Sequence, residues 1–407
     1  MLGMLQSILI YVIPFLFVLT LVVTIHELGH FSVARALGIS VDRFSIGFGK
    51  ALASWKDKSG VEWRIGWLPL GGYVRFAGDS EASSSVPDSE ALAQLRKEIA
   101  AREGEAAVDK YFHFKPVWAR ALVVAAGPFA NFILAIVLFA VLLGAVGETV
   151  VTPRVGSVVP GGAAERAGFQ TGDIVKAIEG RPIDDFMQVR QYVALRAGQP
   201  IRFTVQRGER TVNLVATPER KLQVDRLTGA DTQLGVLGLG STARPGDISR
   251  RRYAPAEALV GGVTRTWDVL ETTVFYLGRI VRGLESGDQL GGPLRIAATS
   301  GGAAKAGAEG APNLGGQILG GFVALLSLAA VLSVGIGFMN LLPVPVLDGG
   351  HLLFYAYEAA ARRPVGAKVQ ALGYRVGLAL LLGLMLFATW NDLQQLRVFK
   401  LLGGMFS

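Results

Sequence analysis

Four apolar runs, at roughly residues 8–37, 121–146, 318–339 and 372–390, are each long enough to cross a bilayer, which takes about 20 helical residues. Hydrocarbon offers backbone N–H and C=O groups no partner, so runs of this length must close their hydrogen bonds within a helix. The chain is expected to be a polytopic α-helical membrane protein with four transmembrane helices, and its connections must be fitted around that bundle. A composition of 51% hydrophobic and 18% charged residues agrees, being too apolar for an ordinary soluble domain. The first run has no basic stretch before it and outlasts a signal-peptide core, so it is read as a retained anchor.

Polar residues inside such runs cost on the order of 2–3 kcal/mol or more and need a partner, which makes them functional candidates. Near the end of the first run lies His26-Glu27-Leu28-Gly29-His30. Residues four apart share a helix face, so His26 and His30 can offer two imidazole nitrogens to one cation, with Glu27 beside it. In zinc hydrolases of this pattern a third protein ligand completes the set and the glutamate serves as general base. The chain contains no cysteine, which excludes disulfides, thiolate ligands and a cysteine nucleophile and leaves His, Asp or Glu for any metal.

Charge sets the expected topology. Arg43, Lys50, Lys56, Lys115 and Arg120 flank the first connection, and Arg362, Arg363 and Lys368 lie in the last. The positive-inside rule places residues 39–116 and 341–371 on the cytoplasmic side and residues 148–316 outside, although Arg397 and Lys400 pull mildly the other way. The first and third runs then descend to the same face, where His26 and His30 meet the segment from Asn340 to His351. Asp348 is the best-placed anionic ligand there; the competing role is to cap the next helix. Asp42 and Asp79 are loop residues without an apolar setting. Asn131, one turn after Pro128 in the second run, can bond a neighbouring helix or share a polar pocket with the histidines. The net charge of +8 is dispersed, with no basic stripe interleaved with aromatics, so nucleic acid is not an expected partner.

Between the runs, alternation predicts strands at 41–48, 61–68 and 72–76, a small sheet whose apolar residues 65–74 either dip beside the helices or lie on the surface. Residues 79–109 read as a polar linker with a short helix near 89–102. Strands are expected at 154–159, 173–178, 201–206, 210–216 and 234–239, with a helix at 187–195. The stretch from Pro160 to Phe169, followed by Gly172-Asp173-Ile174-Val175, resembles a PDZ domain of the bacterial kind. That resemblance implies capture of a peptide terminus or loop by strand addition beside a helix, hence substrate gating; a folded spacer is the plainer alternative. Residues 255–284 read as an amphipathic segment on the outer membrane surface or against that domain. The Gly- and Ala-rich 299–316 reads as a flexible entry to the third run.

Together, His26 to His30, Gly127 to Asn131, Asn340 to Gly349, Gly71-Gly72-Tyr73-Val74 and the intervening PDZ-like stretch resemble the site-2 proteases, intramembrane zinc metalloproteases, of the bacterial regulator of sigma-E protease type. The resemblance implies one zinc ion held by His26, His30 and Asp348, and Glu27 as base. It implies that Gly71, Gly72, Tyr73, Val74, Asn131 and Asn340 hold the substrate strand, while His351 and His113 have no ligand role. It further implies cleavage within transmembrane segments of single-span proteins such as anti-sigma factors, already cut by an upstream site-1 protease, or of remnant signal peptides. The expected place is a bacterial inner membrane, with the PDZ domain periplasmic and the site near the cytoplasmic side. The layout would be a first transmembrane helix (1–38), a β element and linker (39–120), a second helix (121–147), a PDZ domain (148–244), and amphipathic helices with a linker (245–316). A third helix with the Asp segment (317–360) and a fourth with the tail (361–407) would follow. Well-known members of this type carry two PDZ domains in tandem, and this chain has room for one. A non-enzymatic PDZ scaffold is the alternative, against which the paired histidines and depth-matched Asp348 weigh; a transporter would need inverted repeats that the sequence does not display.

Overall fold

The computed structural model describes residues 2–78, 89–225, 227–228, 231–241, 244–284, 287 and 291–395. The first part of the expected linker, with Asp79, and the tail with Arg397 and Lys400 lie outside the described residues. In chain order come α1 (Leu2–Ala36), β1 (Val41–Lys56), β2 (Glu62–Phe76), α2 (Ser89–Glu103), α3 (Glu105–Val108) and α4 (Val117–Val141), the last continued by a π turn at Leu142–Val146. Next are β3 (Glu148–Val151), β4 (Val155–Val158), α5 (Ala163–Arg166), β5 (Ile174–Ile178), β6 (Arg181–Pro182), α6 (Phe186–Ala194), β7 (Ile201–Arg207) and β8 (Arg210–Ala216). Then follow β9 (Glu219–Val224), β10 (Asp231–Val236), β11 (Leu239–Ser241), β12 (Ile248–Arg251), α7 (Pro255–Val281), α8 (Pro293–Ala308), α9 (Leu314–Asn340), α10 (Asp348–Ala361) and α11 (Ala367–Gln395). The chain divides into two compact units.

The first unit holds Met1–Ala140, Leu259–Phe275 and Leu290–Asp392. Among the described residues, four helices are long and apolar enough to cross a membrane: Leu9–Ala36, Val117–Val146, Leu314–Asn340 and Ala367–Gln394. Each of the last three begins several residues before its apolar run, because a helix continues past the hydrocarbon to the nearest start signal. Pro116 precedes α4, and the Asn313 side chain accepts the Gly316 N–H at 2.8 Å ahead of α9, a standard N-cap. Trp118, Leu122, Phe129, Ile133, Val137 and Val141 are exposed along one face of α4, whereas Val123, Gly127, Asn131 and Ala135 are buried on the other. The first face suits lipid and the second the bundle interior.

β1 and β2 are longer than the sequence suggested, and β2 runs unbroken through Pro69. Residues 41–46 pair with 72–76 on one side and 62–65 on the other, while residues 51–56 pair back on 62–66. The segment 72–76 is thus an edge. Gly47, at φ +82°, makes the bend in β1 with its backbone so near Leu68 that a Cβ would lie 2.8 Å from the Leu68 oxygen; a left-handed φ there suits only glycine. The sheet reaches down beside α1, where the Thr20 hydroxyl donates to the Pro69 carbonyl at 2.7 Å. Of the two alternatives for residues 65–74, the chain takes the one beside the helix.

Residues 293–308 correct an expectation. Much of the stretch read as a flexible entry is the helix α8, packed on α1 and α9. A Cβ on Gly301 would lie 2.1 Å from Tyr11 Cδ1, and one on Gly307 would lie 2.4 Å from the Gly320 oxygen. Small residues that suggest flexibility in water permit close backbone approach between helices in a membrane bundle.

The second unit, Val141–Ala258 with Tyr276–Gln289 and Leu393–Ser407, is built on the antiparallel sheet β6-β5-β7-β8. Alternate residues Ile201, Phe203 and Val205 of β7 turn inward onto Val175, Ile178, Val189 and Val193, all buried, as period-2 alternation requires. The capping box expected of no particular residue beforehand starts α6, with Asp185 taking the Met187 N–H at 2.9 Å. The strand expected at 234–239 is split between β10 and β11 at Gly238, φ +81°. Four further strands among the described residues, β3, β6, β9 and β12, are too short or too polar to stand out in sequence.

Candidate metal centre

α1 carries His26 and His30 one turn apart, and both rings face inward: Nε2 to Nε2 is 3.2 Å. Close helix packing makes this possible. A Cβ on Gly29 would lie 2.4 Å from the Ala126 oxygen, and one on Gly127 would lie 2.3 Å from His30 Nε2 and 2.9 Å from His26 Cε1. α1 and α4 therefore meet backbone to backbone, and Gly127 is the wall against which both imidazoles rest.

Asp348 arrives from the far end of the chain. After α9 the chain turns through residues 341–347, whose two prolines, Pro343 and Pro345, forbid continuation of the helix, and Asp348 opens α10. Gly349 and Gly350 let α10 fold back on that turn, since Cβ atoms there would lie 2.3 Å from the Leu341 and Val344 oxygens respectively. Asp348 Oδ2 thus lies 3.2 Å from His26 Nε2 and 3.6 Å from His30 Nε2. Leu347, not Asp348, holds the N-cap position, so capping does not account for the carboxylate.

Among the described residues, His26, His30 and Asp348 form a group whose donor atoms lie within 4.8 Å of one another. Zinc bonds to imidazole nitrogen and carboxylate oxygen run about 2.0–2.2 Å, and the edge of such a tetrahedron is about 3.3–3.6 Å, close to the 3.2–3.6 Å spacing here. Asp348 Oδ2 is buried without a hydrogen-bond partner, which is costly unless a cation answers it. The donor set of two imidazoles and one carboxylate is a zinc set with a position left open. His30 Nδ1 lies 2.9 Å from the Val123 carbonyl, an acceptor only, so Nδ1 carries the proton and Nε2 is free to ligate.

Glu27 points from the same turn of α1 towards the sheet edge, where the Val74 N–H donates to its carboxylate. Gly72, Tyr73 and Val74 line, together with Glu27 and the three donors, a cavity of about 750 Å³. Gly71 is buried just above, next to Val23. Tyr73 stacks on Phe48, and its hydroxyl accepts from Arg43 at 3.3 Å. Asn340 ends α9, half-buried, and does not line the cavity. Asn131 is fully buried, its amide 3.3 Å from His26 Nδ1.

Sequence reasoning missed two lining groups. His113, given no ligand role from the sequence, sits in a turn at Phe112–Phe114 on the cavity wall. Tyr374 of α11 places its hydroxyl 3.3 Å from His351 Nδ1, and both line the cavity. Burial lowers the pKa of His351, which favours the neutral ring. A lone tyrosine in an apolar run was the available signal for Tyr374.

Comparison with known proteins places this geometry in company. A model of peptidase family M50 matches residues 14–384. The chain is 50% identical over 399 residues to the metalloprotease MmpA of Caulobacter vibrioides, covering 98% of this chain and 99% of that one. It is 43% identical over 386 residues to a protein of Agrobacterium fabrum named as a zinc metalloprotease, covering 95% and 96%. A similarly named protein of Rhizobium meliloti is 43% identical over 387 residues, covering 95% and 97%.

Proposed function

The chain belongs to peptidase family M50, the site-2 proteases, and is an intramembrane zinc metalloprotease; on that premise we propose that His26, His30 and Asp348 hold the zinc and that Glu27 is its catalytic base. The convergence of three donors from α1 and α10 on one point supports this assignment. Zinc, when bound, supplies the Lewis acid that activates water and polarises the scissile carbonyl. Glu27 takes the proton of the attacking water and returns it to the leaving amine.

A transmembrane helix hides its carbonyls in its own hydrogen bonds, so the substrate must be drawn out as a strand. The edge at Gly71, Gly72, Tyr73 and Val74 accepts that strand by β-addition, since residues 72–76 are paired on one side to 41–46 and face the cavity on the other.

The second unit is read as a single PDZ domain. In support, α6 and residues 234–239 border a groove of about 240 Å³ beside a helix, where a peptide end or loop could add as a strand. It would lie on the periplasmic face of a bacterial inner membrane, with the metal centre towards the cytoplasm. Substrates of the anti-sigma-factor class, pre-cut by a site-1 protease, or remnant signal peptides fit a site buried among helices.

Metal analysis of the purified protein beside cleavage of a transmembrane reporter tests the assignment. Glu27→Gln is expected to keep one zinc per chain and lose roughly 10²-fold or more in rate; His26→Ala or Asp348→Ala should lose zinc and activity together. Wild-type turnover by Glu27→Gln would overturn the assignment of the base.

A further inference from the structure

We infer that Asn131 is a positioning residue for the metal: its side-chain carbonyl accepts the Nδ1–H of His26 and fixes the tautomer whose Nε2 faces His30 and Asp348. This rests on His26 being a zinc ligand. A ligating histidine almost always donates its other ring N–H to an acceptor that orients it. For His30 that acceptor is the Val123 carbonyl, at 2.9 Å. For His26 the group at Nδ1 is the Asn131 amide, at 3.3 Å.

As the side chain stands, Nδ2 faces His26 Nδ1 and Oδ1 is buried without a partner. A half-turn of the planar amide exchanges the two atoms in nearly the same volume and brings Oδ1 onto Nδ1. An amide serves both tautomers of its neighbour. With Nε2–H directed at Asp348 Oδ2, 3.2 Å away, Nδ2 donates to Nδ1; with Nε2 ligating, Nδ1–H donates to Oδ1. A carboxylate in its place would serve only the second state and would add a fixed charge to an apolar bundle.

The surroundings hold Asn131 to this task rather than to substrate. The residue is 0% exposed. Its backbone carbonyl accepts the Ser333 hydroxyl at 2.8 Å, and a Cβ on Gly337 would come within 3.2 Å of its own Cβ. α9 is therefore clamped against its back, and the amide lies outside the cavity lining.

The test uses the full chain in detergent, with zinc affinity measured by chelator competition and folding of the metal-free protein followed by thermal melting. Asn131→Leu keeps the shape and removes the acceptor, so zinc affinity should fall 10–100-fold. Asn131→Asp restores an acceptor and should stay within a few-fold of wild type, with the visible bands of its cobalt-substituted form shifted, because a carboxylate makes the imidazole a stronger donor. Wild-type affinity in Asn131→Leu, or equal losses in both variants, would overturn the role. Should Asn131→Leu not fold, superimposable cobalt bands of Asn131→Asp and wild type would overturn it. If instead the wild-type protein binds no more zinc than His26→Ala, the zinc reading itself is what fails.

Discussion

Arg120 Nη2 lies 2.6 Å from Glu358 Oε1, joining α4 to the helix that begins with Asp348. Both side chains are largely buried, and the guanidinium also lies 4.9 Å from the Tyr355 ring centroid. Since α4 carries Gly127 and α10 carries Asp348, the pair helps hold the two walls of the metal centre in register. Glu358→Ala would leave Arg120 charged and without its carboxylate, at a cost of about 3–5 kcal/mol. Thermal melting in detergent should record the loss, and the double change Arg120→Met with Glu358→Leu should recover most of it. A melting temperature unchanged in the single variant would show that the pair carries no weight.

Gly127→Ala should damage the centre without replacing a ligand. Its Cβ would lie 2.3 Å from His30 Nε2 and 2.5 Å from His30 Cε1, so the ring must leave its present position. Zinc affinity is expected to fall by at least 10-fold, a scale typical of disturbed ligand orientation, while the apolar helix keeps its fold. Chelator competition measures this directly.

Val74→Pro tests the sheet edge, together with its contact to Glu27, apart from binding of metal. The Val74 N–H reaches the Glu27 carboxylate on the 72–76 edge, so proline removes that donor and is sterically suited to an edge strand. Zinc content should stay at the wild-type level and kcat/KM for a transmembrane reporter should drop by 10-fold or more, the value of about 1.4 kcal/mol for one lost hydrogen bond. Unaltered cleavage would show that neither strand addition at this edge nor the Val74 N–H on Glu27 carries weight.

In the second unit, acid stability should depend on Asp173. Its carboxylate is 1% exposed and takes two bonds of 2.8 Å from Arg207. Burial alone would raise its pKa, but the Arg207 guanidinium and the Gln170 N–H outweigh it and hold the group below its ordinary value. A carboxyl lowered in the folded state contributes stability fully above its unfolded pKa of about 3.9 and loses it as pH falls through the folded value. Melting curves should therefore show a destabilisation below about pH 4 that Arg207→Met flattens.

Sequence alone determined what is periodic or local. Runs the length of a bilayer must be helices because hydrocarbon leaves the backbone no other partner, and His26 and His30 share a face because a helix turns every 3.6 residues. The β7–β8 hairpin, with buried Phe203 and Val205 alternating along it, was legible for the same reason. The sequence pointed to Asp348 by depth, but only the tertiary structure decided how it reaches the histidines, through a turn whose geometry Gly349 and Gly350 permit. The same holds for Val74 over Glu27, for Asn131 behind His26, and for α8, whose glycines mean close packing only once Tyr11 and Gly320 stand opposite them. Contacts between residues far apart in the chain are fixed by how helices seat on one another, and no spacing in the sequence records that.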